Sequence, residues 1–277
     1  MPLADERIVS FDVAGSPVMS IVHLPERANG HGILIVPGAP QYRVGPHRLF
    51  VDLARQFAHG GVAVMRMDRR GFGDGGGKPA EFEDAGPDIA AALSAFRRTA
   101  TGLRSVTVLG LCDGASAALL HATTLQAVEG LILFNPWVRG EATDPQAMLG
   151  AYYLPRLLRW RRWLAAMSSF ARMRGALRGV AGAVLDALRT GRTGGPDFVD
   201  QMLRRWIDFP GRSLVVLSGR DIAAAEFDQL VRRTLSWPLA TGSSDVAVLR
   251  LPNADHTFCA RRDRARLAEE ILTWLDR

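Results

Sequence analysis

The chain is short of cysteine, lysine and long apolar runs, and each shortage excludes something. Two cysteines in 277 residues cannot form a disulfide scaffold, and they fit a reducing compartment. They stand 147 positions apart and no His pair sits at i, i+4, so a zinc site is not expected. An uncharged stretch such as residues 114–128 has only 15 residues and includes His, Thr, Ser and Gln. That is short of the roughly 18–20 apolar residues of a membrane span. The first residues, Met-Pro-Leu-Ala-Asp-Glu-Arg, carry charge where a leader needs an apolar run. The chain is therefore expected in the cytoplasm. With 48% hydrophobic and 22% charged residues it has a globular balance that rules out disorder. Its length is about twice that of a usual domain, though α/β folds of this size are often single domains.

Lysine is nearly absent: of 34 basic residues, 33 are Arg and one is Lys78. The net charge of +6 is unevenly spread. Residues 156–206 hold 11 Arg against Asp186, Asp197 and Asp200, a local +8 that leaves the rest near −2. Such a segment suits an anionic or lipid-linked substrate, a peripheral contact with the inner membrane, or simply an Arg-biased genome. In residues 155–164, Leu157, Trp160 and Leu164 share one helical face with Arg elsewhere. That face could lie on an anionic membrane or pack over an active site, and packing is the favoured reading. No recognised module accompanies the charge, so no nucleic-acid partner is expected.

Along the chain, residues 7–13 and 17–24 read as a hairpin turned at Ala14-Gly15-Ser16. Residues 32–36 are a continuous apolar run, as in a strand buried on both faces, and lead into Pro37-Gly38-Ala39-Pro40. Helix and strand patterns then alternate: helix 48–59, strand 62–67, helix 88–99, strand 105–111, helix 114–125 and strand 130–134. The pattern stops over 139–206 and resumes with strand 214–217, helix 224–235, strand 246–251 and helix 262–275. This predicts a mostly parallel sheet with helices on both faces. Residues 1–138 and 207–277 would form the core and 139–206 an inserted helical cap.

The chemistry centres on Gly110-Leu111-Cys112-Asp113-Gly114. A buried strand runs through small-X-nucleophile-X-small into a helix, the pattern of a nucleophile elbow with Cys at its centre. Small residues are needed because the turn is tight, and a helix N-terminus favours thiolate over thiol. Centring the motif on Asp113 would put Leu111 where a small residue is required, which argues against an aspartate nucleophile. The plain alternative is a small buried Cys ending a strand.

A thiol nucleophile needs a base and an orienting acid. His256 follows the last strand in Asp255-His256-Thr257, and Asp221 follows the preceding one in Ser218-Gly219-Arg220-Asp221. Asp221 by itself would be an ordinary helix cap. The order Cys112, Asp221, His256, each just past a strand, makes the set. Oxyanion donors are expected from the Asp113 N–H and from the loop Pro37–Gln41, where Pro40 has none. Ala39 is preferred over Gln41, and Gln41 is kept as a candidate substrate contact. Gly71-Phe72-Gly73-Asp74-Gly75-Gly76 resembles a phosphate loop but lacks a following Lys-Ser/Thr. Asp68 and Arg70 are expected to pair there, and Cys259 to be a buried spectator.

These features, with Met67-Asp68-Arg69-Arg70-Gly71-Phe72-Gly73, resemble the α/β-hydrolase superfamily over essentially the whole chain outside the cap. More narrowly, residues 36–45 with Gly110-Leu111-Cys112-Asp113-Gly114-Ala115-Ser116 resemble the bacterial exosortase A system-associated hydrolase 1 family, which is linked to exopolysaccharide and protein-sorting loci. The cysteine is also similar to that of dienelactone hydrolases, from whose small uncapped form the Arg-rich insertion departs. The resemblance implies an α/β-hydrolase fold and hydrolysis of an ester or thioester on a small acyl substrate, without a cofactor. Acyl transfer by the same triad is an alternative. So is a non-catalytic protein binding lipid or a partner through the basic segment.

Overall fold

The computed structural model describes residues 5–138, 196–234 and 245–277. Its strands in chain order are β1 (Asp5–Val13), β2 (Ser16–Leu24), β3 (His31–Val36), β4 (Ala63–Met67), β5 (Ser105–Leu111), β6 (Val128–Phe134), β7 (Arg212–Ser218) and β8 (Val246–Leu251). The helices longer than one turn are α1 (Leu49–His59), α2 (Gly86–Thr99), α3 (Asp113–His121), α4 (Pro196–Ile207), α5 (Ile222–Arg233) and α6 (Arg261–Leu275). The strands form one sheet in the order β1-β2-β4-β3-β5-β6-β7-β8. The β1–β2 hairpin is antiparallel and joins β4 antiparallel, while every pairing from β4 to β8 is parallel.

Strand period 2 explains the layering. Ile33 and Ile35 of β3 enter one apolar layer, and Leu34 and Val36 enter the other. In β5, Val106 and Val108 point one way, Leu109 and Leu111 the opposite way. Helices α1 and α6 cover the first layer through Leu49, Leu53 and Phe57 and through Leu267, Ile271 and Trp274. Helices α2 to α5 cover the second, with Ile89, Leu119, Met202 and Phe227 among their buried residues. Each fully buried Ile, Leu or Phe stabilises by about 1.5–3 kcal/mol. A one-residue slip would exchange the layers, so the register is fixed.

One boundary differs from the sequence expectation. Helix α4 falls inside the segment read as a cap, yet Phe198, Val199, Met202 and Trp206 are buried in the core. The Phe198 ring meets Phe82 edge-on with centroids 5.5 Å apart. The Trp206 indole N–H donates to Ser213 Oγ at 2.9 Å. The chain divides into Met1–Val138 with Phe198–Arg277, and Arg139–Asp197, so the core resumes at Phe198 rather than at 207. The expected cap over 139–195, with Leu157, Trp160 and Leu164, lies outside the described residues. Among the described residues no helix is long and apolar enough to cross a membrane.

Candidate active site

Chain order runs from β3 outwards to β4 on one side and then to β5 on the other. The crevice at such a reversal, beyond the strands' carboxyl ends, is where open α/β sheets place ligands. Cys112 leaves β5 at this crevice, and the loop from Pro37 leaves β3 beside it.

Cys112 has φ 59° and ψ −124°, a conformation costing a non-glycine residue about 1–3 kcal/mol unless its surroundings dictate it. They do. Its N–H donates to Phe134 O at 2.9 Å, and its carbonyl accepts from the N–H groups of Ala115, Ser116 and Trp137 at 3.0–3.3 Å. The flanking glycines are required by close approach. A Cβ on Gly114 would lie 2.6 Å from the Val36 carbonyl oxygen, and one on Gly110 would meet the Gly114 carbonyl. Sequence and backbone therefore agree on a turn that lifts residue 112 off the sheet at the start of α3.

Asp221 and His256 come together as expected. His256 Nδ1 lies 2.9 Å from Asp221 Oδ2, and the same carboxylate accepts the Ala223 and Ala224 N–H groups as the N-cap of α5. Asp221 thus caps α5 and meets the His256 ring with the same carboxylate. Burial pulls the His256 pKa down. Hydrogen bonds to the Asp221 carboxylate and the Cys112 sulfur, with the negative charge of each, outweigh it and raise the value to about 10. The protonated ring is thus favoured at this position.

The His256 loop is pinned from below by residues that the sequence did not single out. Asp255 Oδ1 accepts the Thr257 and Cys259 N–H groups at 3.0 and 3.2 Å. Asn135, buried at the end of β6, donates through Nδ2 to Ser218 Oγ (3.0 Å) and the His256 carbonyl (3.2 Å). Its Oδ1 accepts the Ser218 N–H at 2.9 Å. With φ 47° it occupies the left-handed region that Asn tolerates better than most residues. An Asn between a strand end and Pro136 was the available signal.

In the expected oxyanion loop the donors are already engaged. The Ala39 N–H does not stand open: it donates to both carboxylate oxygens of Asp113, at 2.9 and 3.0 Å. The Gln41 N–H closes a turn on the Gly38 carbonyl at 2.7 Å, so it is no substitute donor. The Gln41 Oε1 is buried without a hydrogen-bond partner among the described residues. The physical reason is proximity. Gly38 lets the Asp113 carboxylate rest against the loop, since a Cβ there would fall on Asp113 Oδ1.

Two smaller expectations also change. Asp68 pairs with Arg43, not Arg70, and accepts the Arg43 and Asp74 N–H groups at 2.7 and 3.0 Å. Arg70 instead turns to Asp88 on α2, 2.9 Å away. Cys259 is exposed, not buried. Between those two pairs sits Arg69, 1% exposed. Its Nη2 donates to the Ala80 carbonyl at 2.6 Å, while Nε and Nη1 have no hydrogen-bond partner among the described residues. Its Nη1 is 3.8 Å from Asp113 Oδ2. Burial lowers the Arg69 pKa, and Asp113 is the strongest charge opposing that.

A model of the alpha/beta hydrolase family matches residues 33–270. The chain belongs to that family. Solved structures with the same fold include an esterase of Pyrococcus furiosus (12% identity, TM-score 0.64, 99% of this chain and 92% of the other). An alpha-beta serine hydrolase homologue from Coxiella burnetii matches at 14% identity and TM-score 0.60, over 99% of both chains. A serine hydrolase without a lid from Xanthomonas campestris matches at 15% and 0.59, over 98% of this chain and 94% of the other. Among curated proteins no relative is found. At these identities the solved structures carry the fold, and the α/β hydrolase with its eight-stranded, mostly parallel sheet is what the sequence predicted.

Proposed function

We propose that this hydrolase cleaves an ester or thioester of a small acyl substrate through Cys112, His256 and Asp221. The observation that carries the proposal is the strained Cys112 backbone at the elbow, together with a His256 ring held by Asp221 at 2.9 Å and favoured in its protonated form by both Asp221 and Cys112. The Cys112 thiolate attacks the acyl carbon, the carbonyl becomes a tetrahedral oxyanion, and the His256 imidazolium protonates the departing oxygen or sulfur. Neutral His256 then takes a proton from water, whose oxygen displaces the thiolate and releases the acid. Asp221 holds the ring through Nδ1. The Asp113 and Ala39 N–H groups serve the oxyanion, Ala39 once its present acceptor has moved, and Gln41 contacts the substrate.

A thiolate suits activated acyl donors, because a thioester intermediate forms readily from them and breaks readily. An anionic or lipid-linked acyl group fits the Arg-rich segment, which gives a peripheral membrane contact a reason. The resemblance of residues 36–45 and the elbow to the exosortase A system-associated hydrolases supports a place in exopolysaccharide or exosortase-linked metabolism. The test is release of p-nitrophenol and of CoA from short- and long-chain acyl donors by wild type and Cys112→Ala. Turnover that vanishes in the variant is expected. Equal turnover by both proteins removes Cys112 as nucleophile.

A further inference from the structure

Asp113 sits in two relationships that cannot both be satisfied during acyl transfer. Its carboxylate accepts the Ala39 N–H through both oxygens, at the donor that the acyl oxyanion requires. Two anions competing for one donor repel each other, so a productive tetrahedral intermediate cannot form while the carboxylate stays. Beside it lies the Arg69 guanidinium, buried, with Nε and Nη1 unspent and Nη1 3.8 Å from Asp113 Oδ2. A buried cation with two idle donors is costly. A closing movement of about 1 Å would bring this pair to charge-assisted hydrogen-bond distance.

We propose that Asp113 is a positioning residue with two seats, one capping the Ala39 N–H in the empty site and one on Arg69 when the acyl oxyanion takes that N–H. Arg69 is the positioning residue that makes the exchange affordable. In the first seat the donor is satisfied and the guanidinium is not. In the second, the guanidinium gains its partner at the moment the oxyanion satisfies Ala39. No proton moves and no bond other than hydrogen bonds changes. Gly38 belongs to the device, because any side chain there would collide with the first seat. The inference rests on the acyl-enzyme reading of Cys112 and names how its oxyanion site opens.

The experiment compares wild type with Arg69→Met, Asp113→Asn and the double variant Arg69→Met/Asp113→Ala. Each is assayed for p-nitrophenyl acetate turnover and for inhibition by a short alkyl trifluoromethyl ketone, which adds to a thiolate and leaves an oxyanion. Without Arg69 the carboxylate has no second seat. Arg69→Met should then lose about a hundredfold in kcat, and in ketone affinity, at unchanged KM. Adding Asp113→Ala removes the cap and should recover at least about tenfold of that loss. A purely structural ion pair predicts the reverse, since a second truncation in a damaged site does not restore activity. A double variant as slow as Arg69→Met overturns the proposal, and so does an Arg69→Met protein as fast as wild type. If Arg69→Met does not fold, Asp113→Asn decides. It keeps an acceptor for Ala39 and loses the charge for Arg69, so kcat should drop about tenfold with the rate of Cys112 alkylation by iodoacetamide unchanged. Wild-type kcat, or alkylation falling in step with kcat, overturns it. Cys112→Ala run alongside separates the two failures. An active Cys112→Ala protein refutes the acyl-enzyme and the seats together, whereas an inactive one beside wild-type-like Asp113 and Arg69 variants refutes the seats alone.

Discussion

Asn135 ties the ends of β6 and β7 to the His256 loop, and removing its side chain should reveal that tie in both stability and turnover. Asn135→Ala deletes the two Nδ2 donations and leaves the buried Ser218 N–H without its Oδ1 acceptor. Lost neutral hydrogen bonds cost about 1 kcal/mol each, and an unsatisfied buried donor about 1–3 kcal/mol. Alanine at φ 47° adds about 1 kcal/mol. The expected loss is about 4–6 kcal/mol, large beside a usual total of about 5–15 kcal/mol yet compatible with a folded protein. Urea denaturation measures it, with the slope m unchanged. Asn135→Gly loses the same bonds without the backbone penalty and should be about 1 kcal/mol more stable than the alanine variant. In turnover, releasing the His256 carbonyl lets the ring drift from Cys112, so kcat should fall about ten- to a hundredfold while KM holds. An alanine variant within about 0.5 kcal/mol of wild type, or no more stable as glycine than as alanine, refutes the account of Asn135.

Three further outcomes can be checked. Gly114→Ala should cost more than about 2 kcal/mol in thermal or urea denaturation, because its Cβ meets the fixed Val36 carbonyl 2.6 Å away. Wild-type kcat/KM should fall as pH rises through about 10, where His256 gives up the proton meant for the leaving group. In Cys112→Ser the sulfur's charge no longer holds the imidazolium and the ring must act as a neutral base. The serine variant's activity should therefore rise with pH at values below about 10 and not share the wild-type fall there, and parallel profiles would count against the ion pair. His23 is buried and its Nε2 accepts from Arg66 Nε at 2.8 Å, and burial followed by the Arg66 charge lowers its pKa from 6.5 to about 4. The unfolded chain binds that proton first, so stability present above the ordinary His value should decline as pH falls through this window, by up to about 3 kcal/mol. His256 acts with the opposite sign: its stabilisation is complete below the ordinary value and is lost as pH rises through about 10. Urea midpoints between pH 4 and 7 should show a shallower acid limb for His23→Gln than for wild type.

The strands and the order of the candidate triad were legible because both are local. β5 is Ser105–Leu111 and β8 is Val246–Leu251, where runs of apolar residues marked them. Cys112, Asp221 and His256 each follow a strand within a few residues, so the topology of a parallel sheet carries them to one edge without further information. The apolar spacing of Phe198, Met202 and Trp206 was equally local. It is masked by the Arg content of the neighbouring segment, which suggests a continuous insertion, although Arg stems commonly flank a buried helix face.

What sequence order hides is the choice among charged partners. Asp68 has Arg69 and Arg70 beside it in the chain, yet takes Arg43, 25 positions away, because the β3 and β4 loops meet over the strand ends. Arg70 is drawn to Asp88 because α2 begins beneath it. The same freedom decides Asp113. Its place after the nucleophile fixes its backbone N–H at the elbow, and that much follows from the motif. Its carboxylate reaches a loop 74 positions earlier, and nothing in the spacing announces it. The residue thereby brings a donor and an anion to the same few ångströms. An oxyanion needs the first and cannot coexist with the second, so this chain can use its elbow for acyl transfer only if something nearby takes the carboxylate away. The unspent guanidinium of Arg69 is what gives the elbow that route.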